Sequence, residues 1–337
     1  MNRILGAGLA CVDIIYDNNN DNNKIEFQNG GTCANVLSVL AQLGWDAEIL
    51  KPRYADFFDT FLNETFCNLN VKCMYYKYSK KTTPRVIELL NQRKHIFKTC
   101  CPSCARKITS LDMPSVNDIE KLDLFYKDYA LFFHDRVSPG VNQIIAEMKK
   151  NRKVVMYEPN GFRNAKIFMN HCKKCDIVKF SGSQVPMEIA ERIRIDAYNN
   201  ETKIIINTNG ENGLVFAHRK KNGLMTSWQR IPPFTSRQVF DTSGAGDWFT
   251  AGFLDKLLRK FSILPTGIEE EFIVACIEEG KRNAKICCTS LGAQGAFYSN
   301  TQIKKLRMNA TAIMSSYPSK IAIKTENNYC TKCFLEL

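Results

Sequence analysis

The sequence lacks the features that place a protein in or across a membrane. It contains no run of about 20 apolar residues, the length that a membrane-spanning helix needs. Near the N-terminus, Asp13 interrupts the apolar stretch before a signal-peptide core is complete. Without a secretion signal, the 14 cysteines indicate reduced thiols or metal ligands rather than disulfides. We therefore expect a cytoplasmic protein with no membrane partner.

Two common nucleotide-binding motifs are also missing. No glycine-rich turn ends in Gly-Lys-Ser/Thr, and this excludes a P-loop. The segment GAGLAC begins like a dinucleotide fingerprint, but Cys11 stands where the third glycine is needed. A strand-like segment follows it, whereas the fingerprint requires a helix there. The sequence thus disfavours a Rossmann cofactor site.

The positive charge is not arranged as in a nucleic-acid groove. The 46 Lys and Arg residues exceed the 34 Asp and Glu residues, which gives a net charge of +12. The basic residues are scattered and form no stripe interleaved with aromatic side chains. We therefore expect no nucleic-acid partner, only a basic surface around an anionic substrate. A zinc-containing nucleic-acid binder stays open as an alternative.

Strand-like and helix-like segments alternate along most of the 337 residues. KVVMYEP, CDIVKFS and KIIINTNG have the composition of buried strands, with helical segments such as VNQIIAEMKK among them. This alternation predicts a parallel sheet covered by helices on both faces. No repeat or linker divides the chain, so we expect one α/β domain.

A turn of small residues precedes a helix in VFDTSGAGDWFTAGFLDKLL (239–258). The helical spacing of its apolar residues predicts that this helix begins near Ala245. The backbone N–H groups of Gly244, Ala245 and Gly246 would converge at the positive end of the helix, where anions bind. Asp247 would then either cap the helix or act as a base on a substrate beside a phosphate. We expect this helix position to keep Asp247 ionised, with a low pKa.

Two motifs carry a family resemblance. DTSGAGD with its aromatic-rich helix resembles the C-terminal signature of the ribokinase/PfkB-type carbohydrate kinases, and GGTCANVLSVLAQLG resembles their glycine pair, helix asparagine and closing Leu-Gly. The resemblance extends from about residue 3 to about residue 300. It implies a ribokinase-like α/β fold with a central, mostly parallel sheet flanked by helices and a small β lid. We expect the kinase domain to span 1–308, with the lid formed from about 13–30 and 82–110, and a C-terminal extension to span 309–337.

The resemblance also implies the reaction and its residues. It predicts an ATP-dependent kinase acting on a hydroxyl, expected to be primary, of a sugar or sugar-like molecule. The resemblance implies that Asp247 is the catalytic base and that the amides of Gly244, Ala245 and Gly246 form the anion hole for the phosphate. It implies sugar binding by Asp13, Gly30, Gly31 and Asn35, and ATP contacts by Thr208, Asn209, Gly210, Asn283 and Gly292. Asp241 and Thr242 would order the loop, near a monovalent cation such as K⁺.

The sequence departs from the family at the expected magnesium site. After CDIVKF the family has Asn-x-x-Glu, whose glutamate helps to order Mg²⁺, whereas this chain has Ser181 and Gln184. A glutamine can hydrogen-bond a metal-bound water but brings no charge, so Glu158 or Glu188 could assist. The departure leaves a catalytically weak sugar sensor as one alternative, and a nucleoside kinase of the same fold is the other. We favour an active kinase because Asp247 and the anion hole are intact.

Three Cys-x-x-Cys pairs stand apart from the kinase motifs. Two such pairs can complete a tetrahedral zinc site. Cys101 and Cys104 follow the predicted lid strands, and Cys330 and Cys333 lie in the extension, so a hypothetical structural Zn²⁺ joins lid and tail. The third pair, 172 and 175, precedes a core strand, and we expect it to belong to the sheet. Unrelated free thiols and a lid-to-lid zinc in a homodimer are the alternatives.

Overall fold

The structure is a computed structural model that describes residues 3–17, 25–91, 94–101, 104–159, 161, 164–197, 200–234 and 239–299. Its strands are β1 (Arg3–Ala7), β2 (Cys11–Asp17), β3 (Ile25–Gly30), β4 (Asp46–Arg53), β5 (Val71–Tyr78), β6 (Arg85–Asn91), β7 (Lys94–Lys98), β8 (Tyr129–His134), β9 (Val154–Tyr157), β10 (Ile177–Ser181), β11 (Ile204–Thr208), β12 (Leu214–His218) and β13 (Gln229–Ile231). Its α-helices are α1 (Thr32–Gln42), α2 (Phe57–Asn68), α3 (Val116–Glu120), α4 (Pro139–Lys150), α5 (Ala165–Cys172), α6 (Met187–Asp196), α7 (Ala245–Lys260) and α8 (Glu270–Cys287).

Nine strands form the central sheet, in the order β13-β12-β11-β10-β9-β8-β1-β4-β5. All neighbours pair in parallel except at one edge, where β12 pairs antiparallel with both β11 and β13. The direction of winding reverses between β1 and β8, because β4 lies on one side of β1 and β8 on the other. Open α/β sheets bind ligands outside the carboxyl ends of their strands at such a reversal.

Helices cover both faces of the sheet, as the alternating pattern predicted. Within β11, Ile204 and Ile206 belong to the core that includes α1, α2, α7 and α8, whereas Ile205 belongs to the core that includes α3 to α6. Successive strand residues point to opposite faces, so a strand that is buried on both sides reads as a continuous apolar run. The predicted fold class is confirmed.

A second, four-stranded sheet has the order β3-β2-β6-β7. The segments PRVIELL and KHIFKT form β6 and β7, which pair antiparallel. β2 joins this hairpin to the rest, because it pairs in parallel with β6 and antiparallel with β3. The small sheet is built from the segments predicted for the lid. The predicted boundary at 308 and the extension 309–337 lie outside the described residues and stay predictions.

Candidate active site

The site lies at the reversal between β1 and β8. The turn after β1 is fixed to the end of β8, since the amide of Leu9 donates to Asp135 Oδ1 at 2.9 Å. Gly31 follows with a φ of +93°, and a Cβ there would come within 2.5 Å of the Leu9 carbonyl oxygen. This close approach requires glycine, and it sets the start of α1 directly over the turn.

Asn35 connects α1 to the predicted base. Its Nδ2 donates to Asp247 Oδ2 at 2.7 Å, and its Oδ1 accepts from Gln294 Nε2 at 3.1 Å. The amide of Gln294 in turn donates to Gln28 Oε1 on β3 at 3.2 Å. Because the Asn35 amide is bonded at both ends, its orientation is fixed, and it fixes the carboxylate of Asp247. A polar network thus joins the start of α7 to the four-stranded sheet.

Asp13, on β2, lies close enough to Asp247 for the two carboxyl groups to interact. Gly30 faces it across the pair of strands, and a Cβ at Gly30 would come within 2.0 Å of the Asp13 carboxyl carbon. The Cys11 thiol donates to Asp13 Oδ1 at 3.4 Å. Burial raises the pKa of Asp13 well above its usual range, and the negative charges of Glu88 and Asp247 raise it further. The predicted sugar-binding residues are therefore gathered around Asp247.

The turn before α7 is held by Asp241. This buried carboxylate accepts from the amide of Ser243 and from the amide of Gly292, both at 2.6 Å. Gly244 is left-handed, with a φ of +74°, and a Cβ there would meet Ala293 at 2.4 Å. Thr242 is exposed, and its carbonyl accepts from the amide of Ala245 at 3.2 Å. Asp241 therefore orders the turn by linking it to the loop around Gly292.

A buried ion pair lies beneath the start of α7. Lys179 Nζ contacts Glu158 Oε1 and lies 3.1 Å from the carbonyl oxygen of Gly246. Thr250 Oγ1 donates to Glu158 Oε2 at 2.6 Å. Sequence reasoning named Glu158 but missed Lys179 and Thr250. The available signal was a lysine inside the apolar run CDIVKF, because lysine is almost never buried unless it is paired.

The surroundings of Asp247 raise its pKa to about 7. Burial is the largest cause and the nearby charge of Glu158 is the second, while the hydrogen bond from Asn35 acts in the opposite direction. The expectation of a low pKa was wrong, since burial and a neighbouring carboxylate outweigh the stabilisation that a helix N-terminus gives to a negative charge. Asp247 consequently titrates near neutral pH.

The predicted nucleotide-binding residues are more dispersed. Thr208 ends β11, and its carbonyl accepts from the amide of Gly182 at 2.8 Å. Asn209 and Gly210 follow in an exposed turn, where Gly210 has a φ of +52°. Asn283 lies where α8 packs against α7, because a Cβ at Gly252 would come within 2.4 Å of its Nδ2, which donates to the Glu279 carbonyl of its own helix at 3.0 Å. No hydrogen bond among the described residues joins Asn283 to the turn after β11.

The residues expected near a metal also have definite places. Gln184 is exposed and accepts from the amide of Gly161 at 3.2 Å, and Glu188 is exposed on α6. Cys101 is buried and Cys104 is exposed, and in the described part of the chain no third ligand-type side chain joins them. The predicted partners Cys330 and Cys333 lie outside the described residues. The zinc joining lid and tail therefore stays a prediction.

Comparison with known proteins gives the family. The family model described as the pfkB family carbohydrate kinase matches residues 1–300. The chain belongs to the PfkB family. It is accordingly an ATP-dependent kinase with a ribokinase-like fold. A comparison with curated protein sequences gives no significant match.

Solved structures agree with this PfkB fold. A fructokinase double mutant from Vibrio cholerae O395, with fructose, ADP and potassium ion bound, is 20% identical, with a TM-score of 0.67 over 88% of this chain and 95% of that one. Adenosine kinase from Schistosoma mansoni, in complex with 2-fluoroadenosine, is 15% identical, with a TM-score of 0.70 over 86% and 96%. Ribokinase from Giardia lamblia is 12% identical, with a TM-score of 0.69 over 92% and 100%.

In the part of the chain that the structure describes, no helix is both long and apolar enough to span a membrane.

Proposed function

We propose that this PfkB kinase transfers the γ-phosphoryl group of ATP to a hydroxyl, expected to be primary, of a sugar or sugar-like molecule. The observation that carries the proposal is the contact between Asp247 and Asn35 at the start of α7, beside Asp13. Asp247 is the base that orients the hydroxyl and accepts its proton. A pKa of about 7 suits this role, because a general base is most effective when its pKa lies near the operating pH.

The transferred phosphoryl group would bind the first turn of α7. The amides of Gly244 and Gly246 are first-turn donors, for which a helix offers no internal acceptor, and the helix dipole adds positive potential. The ammonium of Lys179 lies next to Gly246, where a Cβ would be 3.6 Å from it. Lys179 therefore adds a fixed positive charge beside the anion hole. Ala245 is the weakest of the three predicted donors, because its amide already donates to the carbonyl oxygen of Thr242.

The sugar would bind between the lid and α1. Asp13 and Asn35 present a carboxylate and an amide toward Asp247, and polyols are recognised by such short acceptors and bidentate amides. Gly30 and Gly31 leave room beside them. The fructokinase structure contains fructose and the adenosine kinase structure contains 2-fluoroadenosine, so the ligands of these two similar proteins include a sugar and a nucleoside. A nucleoside is the second candidate.

Magnesium and a monovalent cation would accompany the nucleotide. Mg²⁺ in kinases keeps several waters and is bound by phosphates with one or two carboxylates, and it neutralises charge on the phosphates. Glu158 fits a role beside it, since it is the neighbouring carboxylate whose charge acts most on Asp247, but Lys179 and Thr250 already occupy its oxygens. We therefore propose that Glu158 would accept hydrogen bonds from metal-bound water. K⁺ would bind near the turn that Asp241 orders.

The turn after β11 would contact the ATP phosphates through Thr208, Asn209 and Gly210. Gly292 and Asn283 would lie on the adenine side of the site. The support is topological: this turn follows the carboxyl end of a parallel strand, and Gly292 is bonded to the loop that precedes α7. A homodimer through the lid and a cytoplasmic location are further proposals. The lid offers exposed Ile96 and Phe97 on its edge strand β7 for that contact.

The test is ADP release with ATP and Mg²⁺ across a panel of sugars and nucleosides. We expect one sugar to stimulate release strongly in wild type and only weakly in Asp247→Asn. Stimulation by a nucleoside alone would select the second candidate. Tight sugar binding without turnover would identify a sensor instead, and no binding of any panel member would contradict the proposal.

A further inference from the structure

Three buried side chains outside the active site gather on the other face of the sheet. His134 is the last residue of β8, His171 lies at the end of α5, and Cys175 follows in the turn before β10. Their exposed fractions are 0%, 3% and 0%. One donor atom from each lies within 4.8 Å of the other two, and no other such group occurs among the described residues. None of the three belongs to the proposed kinase site.

The spacing of the donor atoms matches a tetrahedral metal. Cys175 Sγ lies 3.6 Å from the carbonyl oxygen of His171 and 3.7 Å from His134 Nε2, distances that a sulfur hydrogen bond also spans. A tetrahedral zinc with bonds of about 2.3 Å to sulfur and about 2.0 Å to nitrogen holds such a pair about 3.6 Å apart. His171 Nε2 is buried, and the described residues provide no hydrogen-bond partner for it. Leaving this nitrogen unpaired is costly unless a ligand takes it up.

We propose that His134, His171 and Cys175 bind a structural Zn²⁺, with Cys172 as the fourth ligand. Cys172 is fully buried, but its Sγ is not among the donor atoms that lie within 4.8 Å of one another, so its thiol would have to turn toward the metal to complete the tetrahedron. Two thiolates and two neutral imidazoles would balance the charge of Zn²⁺, and a neutral complex is what an apolar core accommodates at least cost. The segment HCKKC thereby supplies three ligands, and β8 supplies the fourth from across the sheet.

The protonation states suit this assignment. Burial lowers the pKa of His171 to about 4 and that of His134 well below its usual range, so both rings are neutral at pH 7 and have a nitrogen lone pair available. Burial raises the pKa of Cys175 well above its usual range, so binding zinc displaces a proton from the thiol. The charged neighbours on the flanking strands are already paired, Asp135 with Arg136 and Asp176 with Lys149 and Lys203.

Aromatic rings enclose the cluster. The ring of Tyr157 stacks on His134, with the ring centroids 4.9 Å apart, and packs edge-on against His171 at 4.6 Å. The ring of Phe132 also stacks on His134, with the centroids 5.3 Å apart. Such a closed shell is typical of structural zinc sites, whereas catalytic sites keep one position open to water. The metal would fasten α5 to β8, whose next residue, Asp135, bonds the turn at the start of the active site.

The test begins with the zinc content of the full-length protein, purified without a metal-affinity step from zinc-replete cells. We expect one zinc per chain, and X-ray absorption at the zinc edge should show two sulfur and two nitrogen ligands. This wild-type measurement does not depend on any variant folding. Absence of zinc, combined with no rise in the melting temperature on adding Zn²⁺ to the reduced protein, would overturn the proposal. Four sulfur ligands would instead favour the site between lid and tail.

Matched variants then locate the metal. His171→Gln and Cys175→Ser should lower the zinc affinity by more than about 100-fold, because even the loss of an outer partner costs 10–100-fold. His218→Gln and Cys276→Ser, which alter an equally buried histidine and cysteine elsewhere, should keep one zinc per chain. Cys101→Ser with Cys104→Ser should also keep it. Retention of full zinc in the first two variants would refute the assignment.

Discussion

The raised pKa of Asp247 predicts that this carboxylate destabilises the folded protein at neutral and alkaline pH. Between its ordinary pKa of 3.8 and about 7, the unfolded chain loses the proton while the folded chain keeps it, so stability falls with rising pH. At 1.36 kcal/mol for each pH unit, the cost reaches an upper limit of about 4 kcal/mol above pH 7. Asp247→Asn removes it and can still accept the bond from Asn35. We expect the variant to be more stable than wild type by roughly 2–4 kcal/mol at pH 8 and by much less at pH 5, measured by urea unfolding.

A second carboxylate gives a control of opposite sign. Asp112 is partly desolvated, which alone would raise its pKa, but bonds from Lys77 and Ser79 lower it overall. It therefore stabilises the folded state at neutral pH, and Asp112→Asn should be less stable than wild type at pH 8, with the difference shrinking as the pH falls through the acid range. If Asp247→Asn were instead destabilised at pH 8 like this control, Asp247 would be an ionised helix cap and our account of its environment would fail.

Four kinetic and binding predictions accompany this one. Asp247→Asn should lower kcat by about 10²–10⁴-fold, and kcat/KM of wild type should rise with pH through about 7, as steady-state assays will show. Asp13→Ala and Asn35→Ala should weaken sugar binding far more than ATP binding in calorimetry, each by about 1–3 kcal/mol, because a buried hydrogen-bonding group of the sugar would lose its partner; equal loss of both ligands would indicate a damaged fold. Gly30→Ala should abolish sugar binding while the circular dichroism spectrum stays native, because its Cβ would overlap the Asp13 carboxylate. Lys179→Gln should move the rise of kcat/KM to higher pH, since the Lys179 charge holds the pKa of Asp247 down; an unmoved profile would separate Lys179 from the base.

The sequence predicted the parts of the fold that local pattern determines. The helix start at Ala245 followed from apolar spacing. The strands β9, β10 and β11 were likewise predicted from the apolar runs KVVMYEP, CDIVKFS and KIIINTNG. The order of the nine strands was not predicted, because it depends on pairings between distant segments such as β1 with β8. That pairing is what places the reversal, and with it the site.

The site was predicted where a family motif covers it and missed where it does not. Asp13, Asn35 and Asp247 lie in the two motifs, and the structure brings them together. Lys179 lies in neither, and nothing in a single sequence indicates that a lysine on β10 reaches the start of α7, 67 residues further along. The cysteines of HCKKC were assigned to the sheet because they precede a core strand, and the local pattern does not show their histidine neighbour on β8, 41 residues before Cys175.

The same separation in sequence explains why the pKa of Asp247 could not be foreseen. The helix start is visible locally, and a local argument therefore assigns Asp247 only the favourable field of the helix. Glu158 lies 89 positions earlier and reaches the site because β9 ends beside β10, on which Lys179 lies. Its negative charge and the burial that the sheet and lid provide act in the opposite direction and are the larger effects. Long-range packing thus brings the pKa of this carboxylate close to neutral pH. Such a carboxylate is better suited to receive a proton than the ionised helix cap that the local sequence predicts.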